Sequence, residues 1–112
     1  MILAIDIGNT NIVIGCMEGN RCSFIERLST VRTKTELDYA IDIKNVLDIY
    51  HINPHELEGG IISSVVPQIT KSFRLATEKI LKKEIMIVGA GIRTGLNIRM
   101  DNPASLGGDL VV

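Results

Sequence analysis

Apolar and polar positions along the chain switch between a period of two and a period near three and a half, and each switch marks an element. Ile2 to Ile7 is an apolar run interrupted only by Asp6. It is short, β-branched and bounded by Gly8, which reads as a buried strand rather than a first helical turn, and Ile12 to Cys16 reads as the strand returning from it. Cys22, Phe24, Ile25 and Leu28, with polar residues interleaved, extend this meander by a third strand over Arg21 to Ser29. The period then lengthens. Thr33-Lys34-Thr35-Glu36 has the form of a capping box, and Leu37, Ala40, Ile41, Leu47 and Tyr50 follow at helical spacing, with Asp38, Asp42, Lys44 and Asp48 as a solvated face.

Beyond Pro54 the pattern repeats in shorter units. Gly59 to Pro67 reads as a buried strand that ends in two hydroxyls, Ser63 and Ser64, and a helix-starting proline. On the pattern alone those hydroxyls satisfy backbone groups. Ile69, Phe73, Ala76 and Ile80 form the buried stripe of the next helix, and Lys79, Lys82 and Lys83 suit its C-terminal dipole. Glu84 to Val88 is a further strand. Gly89-Ala90-Gly91 to Gly95 has its third glycine one place late for a dinucleotide fingerprint and leads into an extended segment, so a dinucleotide site is rejected. The expected fold class is α/β: a mixed five-stranded sheet, three antiparallel strands first, with helices on its faces.

Composition narrows the functional classes. Of 112 residues 46% are hydrophobic and 4% aromatic, which predicts one domain with an aliphatic core. Twelve basic and thirteen acidic residues are interspersed and give a net charge of −1, leaving no stripe for a nucleic-acid backbone or an anionic membrane. No basic leader precedes the apolar run and none of the runs reaches the ~18 residues of a spanning helix, so a cytoplasmic protein is expected. Cys16 and Cys22 lie symmetrically about Glu18-Gly19-Asn20. They are read as reduced core thiols, although a cross-strand disulfide is geometrically conceivable. His51 and His55 flank Asn53-Pro54 and read as loop residues, without the partners a metal site requires.

The chemistry concentrates in Asp6-Ile7-Gly8-Asn9-Thr10. Gly8 can take a positive φ and, lacking Cβ, admits a ligand close to the backbone. The turn's N–H groups with the Asn9 and Thr10 side chains can then hold phosphate oxygens. Asp6 at the strand end is a candidate Mg²⁺ ligand, since that ion keeps much of its water and needs few carboxylates. An ordinary turn beside an ordinary strand-end acid accounts for the same residues, and the motif alone leaves both readings open. Near the other end, Asn102-Pro103 is a helix start. Gly107-Gly108 is a poor helix interior, which fits either close approach of a ligand or the end of a helical turn, and Asp109 beside it could act as a base.

Asp6-Ile7-Gly8-Asn9-Thr10 resembles the first phosphate motif of the acetate kinase, sugar kinase, Hsp70 and actin superfamily. With Ser64-Val65-Val66-Pro67, Thr94-Gly95-Leu96 and Asp101-Asn102-Pro103 through Gly107-Gly108-Asp109, in that order, the chain resembles the type III pantothenate kinases over nearly its whole length. The resemblance implies a ribonuclease H-like half-domain in which the Ser64 segment shares a sheet edge with the phosphate motif. It implies ATP-dependent phosphorylation of the pantothenate hydroxyl, the first step of coenzyme A synthesis, by a homodimer that uses Mg²⁺ and a monovalent cation, K⁺ or NH₄⁺. By the same resemblance Asp6, Gly8, Asn9 and Thr10 bind ATP phosphates, Gly107, Gly108 and Asp109 bind pantothenate, and Asp109 is the general base. Leu110 stands where the family has a substrate-contacting arginine, so that contact is made otherwise or is missing. No second copy of the half-domain pattern occurs within residues 1–112, so the chain is expected to be the N-terminal half of a two-domain kinase, inactive alone. Two alternatives stand beside this one: another small-molecule kinase of the superfamily, or a non-catalytic regulatory accessory factor.

Overall fold

The computed structural model describes residues 1–88. Strands β1 (Ile2–Ile7), β2 (Asn11–Glu18) and β3 (Arg21–Ser29) form the opening meander, followed by helix α1 (Glu36–Ile49), a 3₁₀ turn over Pro54–Glu56, strand β4 (Gly59–Ser64), helix α2 (Pro67–Leu81) and strand β5 (Ile85–Val88). The sheet has five strands in the order β3-β2-β1-β4-β5. β1, β2 and β3 pair antiparallel, while β4 lies parallel to both β1 and β5. The expected mixed sheet with its antiparallel start is therefore present.

Alternation along the strands separates two faces. Leu3, Ile5 and Ile7 of β1, Ile12, Ile14 and Cys16 of β2, Phe24 of β3 and Ile62 of β4 form one core with residues from both helices. Both described helices thus cover the same face. Steps from β1 to β4 to β5 run in one direction across the sheet, and right-handed crossovers then place their connecting helices on one side. On the other face Ala4 and Met17 pack with Val13 and Cys22.

Helix α1 departs from the sequence reading in its frame. Its N-cap is Thr35, not Thr33: the Thr35 hydroxyl accepts from the Asp38 N–H at 3.2 Å and the Asp38 carboxylate accepts from the Thr35 N–H at 3.0 Å. The buried stripe is Tyr39, Ala40, Ile43, Val46 and Leu47, whereas Leu37 and Ile41 are 59% and 49% exposed. Tyr39 decides the frame. Its ring packs against Phe73 of α2 with centroids 5.1 Å apart, and its hydroxyl donates to the Val31 carbonyl. Asp42, assigned to a solvated face, instead holds Lys34 in a half-buried ion pair at 2.6 Å.

The β2–β3 hairpin also differs from a symmetric reading. It turns on Gly19 and Asn20, with Gly19 at φ 62°, so that Glu18 pairs with Arg21 and Met17 with Cys22; an irregularity at Cys16 and Met17 then sets Cys16 against Phe24. The two thiols point to opposite faces and are free, as read from composition. Burial pushes both thiols above their ordinary pKa, which keeps them protonated and poorly nucleophilic at neutral pH. His51, which follows α1 in a left-handed conformation, and His55 in the 3₁₀ turn are exposed.

Candidate functional site

The parallel strands β1 and β4 end together. Asp6 is level with Ser63 and Ile7 with Ser64, and the Val65 N–H donates to the Ile7 carbonyl at 3.0 Å. The phosphate-motif turn and the Ser64 segment therefore share one sheet edge, at the carboxyl ends of parallel strands where open α/β sheets place ligands. Asp6 and Ser63 are register partners and leave the sheet on the same face, the one opposite the helices. Ser64 is committed to the corner: its hydroxyl accepts from the Val66 N–H at 2.9 Å and from the Thr70 hydroxyl at 2.9 Å, the backbone-satisfying role read from the pattern.

The turn itself spans Gly8 to Thr10. The Gly8 N–H donates to the Asn11 carbonyl at 2.9 Å, so it is not among the donors open to a ligand. Gly8 has no positive φ; the glycine requirement there is close approach, because a Cβ would stand 3.1 Å from the Asn11 oxygen. The Asn9 and Thr10 backbone N–H groups have no intramolecular partner among the described residues, and both side chains are exposed. Two adjacent N–H groups beside a hydroxyl and an amide are a set of donors able to bind an anionic oxygen.

Two residues that the sequence did not single out complete the turn. The Thr30 hydroxyl donates to the Gly8 carbonyl at 2.8 Å and its N–H to the Thr10 carbonyl at 2.9 Å, clamping both ends of the turn to the residue just past β3. Arg32 reaches over the same turn and donates from Nη2 to Asn9 Oδ1 at 3.0 Å. The signal that would have found Thr30 is its place: in a tight meander the end of the third strand returns beside the first turn.

Among the described residues Asp6 is the carboxylate at the end of β1 on this edge. Among the described residues no cluster of three or more His, Cys, Asp or Glu side chains forms a metal cage. One strand-end carboxylate next to a turn rich in donors still suits Mg²⁺, which takes one or two carboxylates and completes its shell with water and substrate phosphates. A groove of about 470 Å³ lined by Ile2, Gly59, Ile61, Glu84 and Met86 opens at the amino ends of the parallel strands, the wrong edge for this chemistry. Thr94-Gly95-Leu96, Asp101-Asn102-Pro103, Gly107, Gly108, Asp109 and Leu110 lie outside the described residues.

Residues 2–112 match the type III pantothenate kinase family along essentially the whole chain. The chain belongs to the type III pantothenate kinase family. Similar members include a type III pantothenate kinase of Bifidobacterium animalis subsp. lactis, 48% identical over 99% of this chain and 44% of its own length. Another, of Bifidobacterium adolescentis, is 43% identical over 99% of this chain and 43% of its own length. The chain thus spans less than half the length of the curated pantothenate kinases it matches. Among solved structures, an N-acetylglucosamine kinase from Porphyromonas gingivalis superposes with a TM-score of 0.62 at 14% identity, over 80% of this chain and 34% of that one. A ROK hexokinase from Thermus thermophilus superposes with a TM-score of 0.59 at 14% identity, over 79% of this chain and 33% of that one. At that identity the likeness is one of fold, and it places this sheet in the half-domain architecture of sugar kinases.

Proposed function

We propose that this chain is the phosphate-gripping half of a pantothenate kinase, which transfers the γ-phosphoryl group of ATP to the hydroxyl of pantothenate in the cytoplasm, as a homodimer that uses Mg²⁺ and a monovalent cation, K⁺ or NH₄⁺. The observation that carries this reading is the Gly8–Thr10 turn, clamped by Thr30 and with its Asn9 and Thr10 N–H groups unpartnered among the described residues, beside Asp6 at the carboxyl ends of β1 and β4. Family membership over residues 2–112 supports the choice of substrate.

Phosphoryl transfer asks the protein chiefly for positioning and charge neutralisation. The Asn9 and Thr10 donors orient the phosphate chain. Fixing the turn before the ligand arrives spares the ordering cost at the moment of binding. Asp6 would hold Mg²⁺, directly or through water, and the ion neutralises phosphate charge when bound. Asp109 is assigned the acceptor side, taking the proton from the pantothenate hydroxyl as the new P–O bond forms and the bond from the γ-phosphorus to the ADP oxygen breaks, a contribution of ~10²–10⁴-fold. ATP held between two half-domains is what aligns donor with acceptor and excludes water.

The test is a pair of isosteric substitutions in the full-length gene product. Asp6→Asn should nearly abolish pantothenate-dependent ADP release with an unchanged circular dichroism spectrum, and Asp109→Asn should lower kcat while ATP binding stays close to wild type. Near-normal turnover of Asp6→Asn would reduce that residue to a structural role and remove the basis of the reading.

A further inference from the structure

Arg32 is exposed on the segment between β3 and α1, yet the two residues before it are held in place. Thr30 is bonded through its N–H and its hydroxyl to the phosphate turn, and the Val31 carbonyl accepts from the buried Tyr39. From that anchored backbone the side chain reaches Asn9. The chemistry of that contact is directional. A guanidinium carries donors only, so the amide atom facing it must be Oδ1, and the Asn9 Nδ2 is then turned away. Left to itself, an exposed asparagine presents its acceptor and its donor about equally, and an acceptor facing a phosphate oxygen is repulsive.

We infer that Arg32 is a positioning residue for phosphate binding: it holds the Asn9 amide by Oδ1, so that Nδ2 is presented as a donor to an anionic phosphate oxygen. The inference rests on the reading of Gly8–Thr10 as a phosphate turn and adds a residue that acts through Asn9. The guanidinium also sits within one side chain's length of that turn and adds positive potential, but a potential alone would act whether or not Asn9 were present. That difference makes the two roles separable.

The experiment is a double-mutant cycle on the Kd of Mg·ADP in the full-length protein, by titration calorimetry, with thermal unfolding as a control. Arg32→Met should weaken binding about 10-fold, the scale of one hydrogen bond to a charged group. Arg32→Lys, which can still donate to Oδ1, should recover most of that loss. Asn9→Ala should weaken binding by a similar factor, and the double variant should be no weaker than Asn9→Ala alone, because Arg32 has nothing left to orient. Unfolding temperatures should stay near wild type, since the contact is exposed. Multiplying losses in the double variant would show that Arg32 acts on the phosphate or through its field, and would overturn the inference. Full affinity in Arg32→Met with weakened Asn9→Ala would overturn it while leaving the phosphate turn in place. If neither Asn9→Ala nor Asp6→Asn alters Mg·ADP binding, the turn is not a phosphate site and both readings fall.

Discussion

Replacing Thr30 by valine removes one hydroxyl and keeps the β-branched shape, so it isolates the clamp on the Gly8–Thr10 turn. The lost bond is the 2.8 Å donation to the Gly8 carbonyl; the Thr30 N–H to Thr10 bond survives, and the turn stays attached at one end. A hydrogen bond of this kind contributes about 0.5–1.5 kcal/mol net. For a full-length protein more than twice the length of this chain, as in its relatives, that corresponds to an unfolding temperature lower by roughly 1–6 °C. The functional consequence follows from the same number. If the turn must be re-formed when a nucleotide binds, the ligand supplies that free energy, and Mg·ADP affinity falls by about 2- to 13-fold at ~0.5–1.5 kcal/mol. Thr30→Ser, which restores the donor, should recover affinity better than Thr30→Val. Thermal unfolding and calorimetric titration on the full-length protein measure both effects. Wild-type affinity in Thr30→Val, together with a lowered unfolding temperature, would refute the idea that preorganising this turn matters for binding.

Two further outcomes test the scaffold. Phe73→Ala empties a fully buried site against Tyr39 at the junction of the two helices and should cost ~3–5 kcal/mol, lowering the unfolding temperature by more than ~10 °C in a thermal melt. The hydrogen bonds from Thr35 hold the Asp38 carboxyl below its ordinary value of 3.8, so the carboxylate half of the α1 cap is at full strength above that pH and is lost as the pH falls through the lowered value. Carboxyl titration by NMR should give an Asp38 midpoint below 3.8. Thr35→Ala, which removes the hydroxyl bond, should raise it.

The strands were legible because their signals are local. A six-residue β-branched run ending in glycine has few alternatives, and the bounds of β1, β3 and β5 agree with the sequence reading to within a residue. The frame of α1 was not local. Thr33-x-x-Glu36 and Thr35-x-x-Asp38 are overlapping capping boxes of equal quality, and their choice depends on which stripe meets α2. Tyr39 lay outside the expected stripe, and it is buried because Val31 supplies the acceptor for its hydroxyl.

The same distinction divides the candidate site. Asp6, Gly8, Asn9 and Thr10 are contiguous, so their chemistry could be read from spacing. Thr30 and Arg32 come to the turn from 22 and 23 residues away, and only the hairpin register brings them there. A β2–β3 hairpin centred on Gly19, the frame that sets Cys16 opposite Cys22, would put Asn11 against Arg27 and leave Thr30 beyond the turn. The two-residue turn at Gly19-Asn20 and the irregularity at Cys16 and Met17 instead set Asn11 against Ser29, which makes Thr30 the neighbour of Thr10. A bulge more than ten ångströms along the strand thus decides which hydroxyl clamps the Gly8–Thr10 turn, at ~3.4 Å of rise per residue. The register of a hairpin with no catalytic residue in it is therefore part of how this site is built.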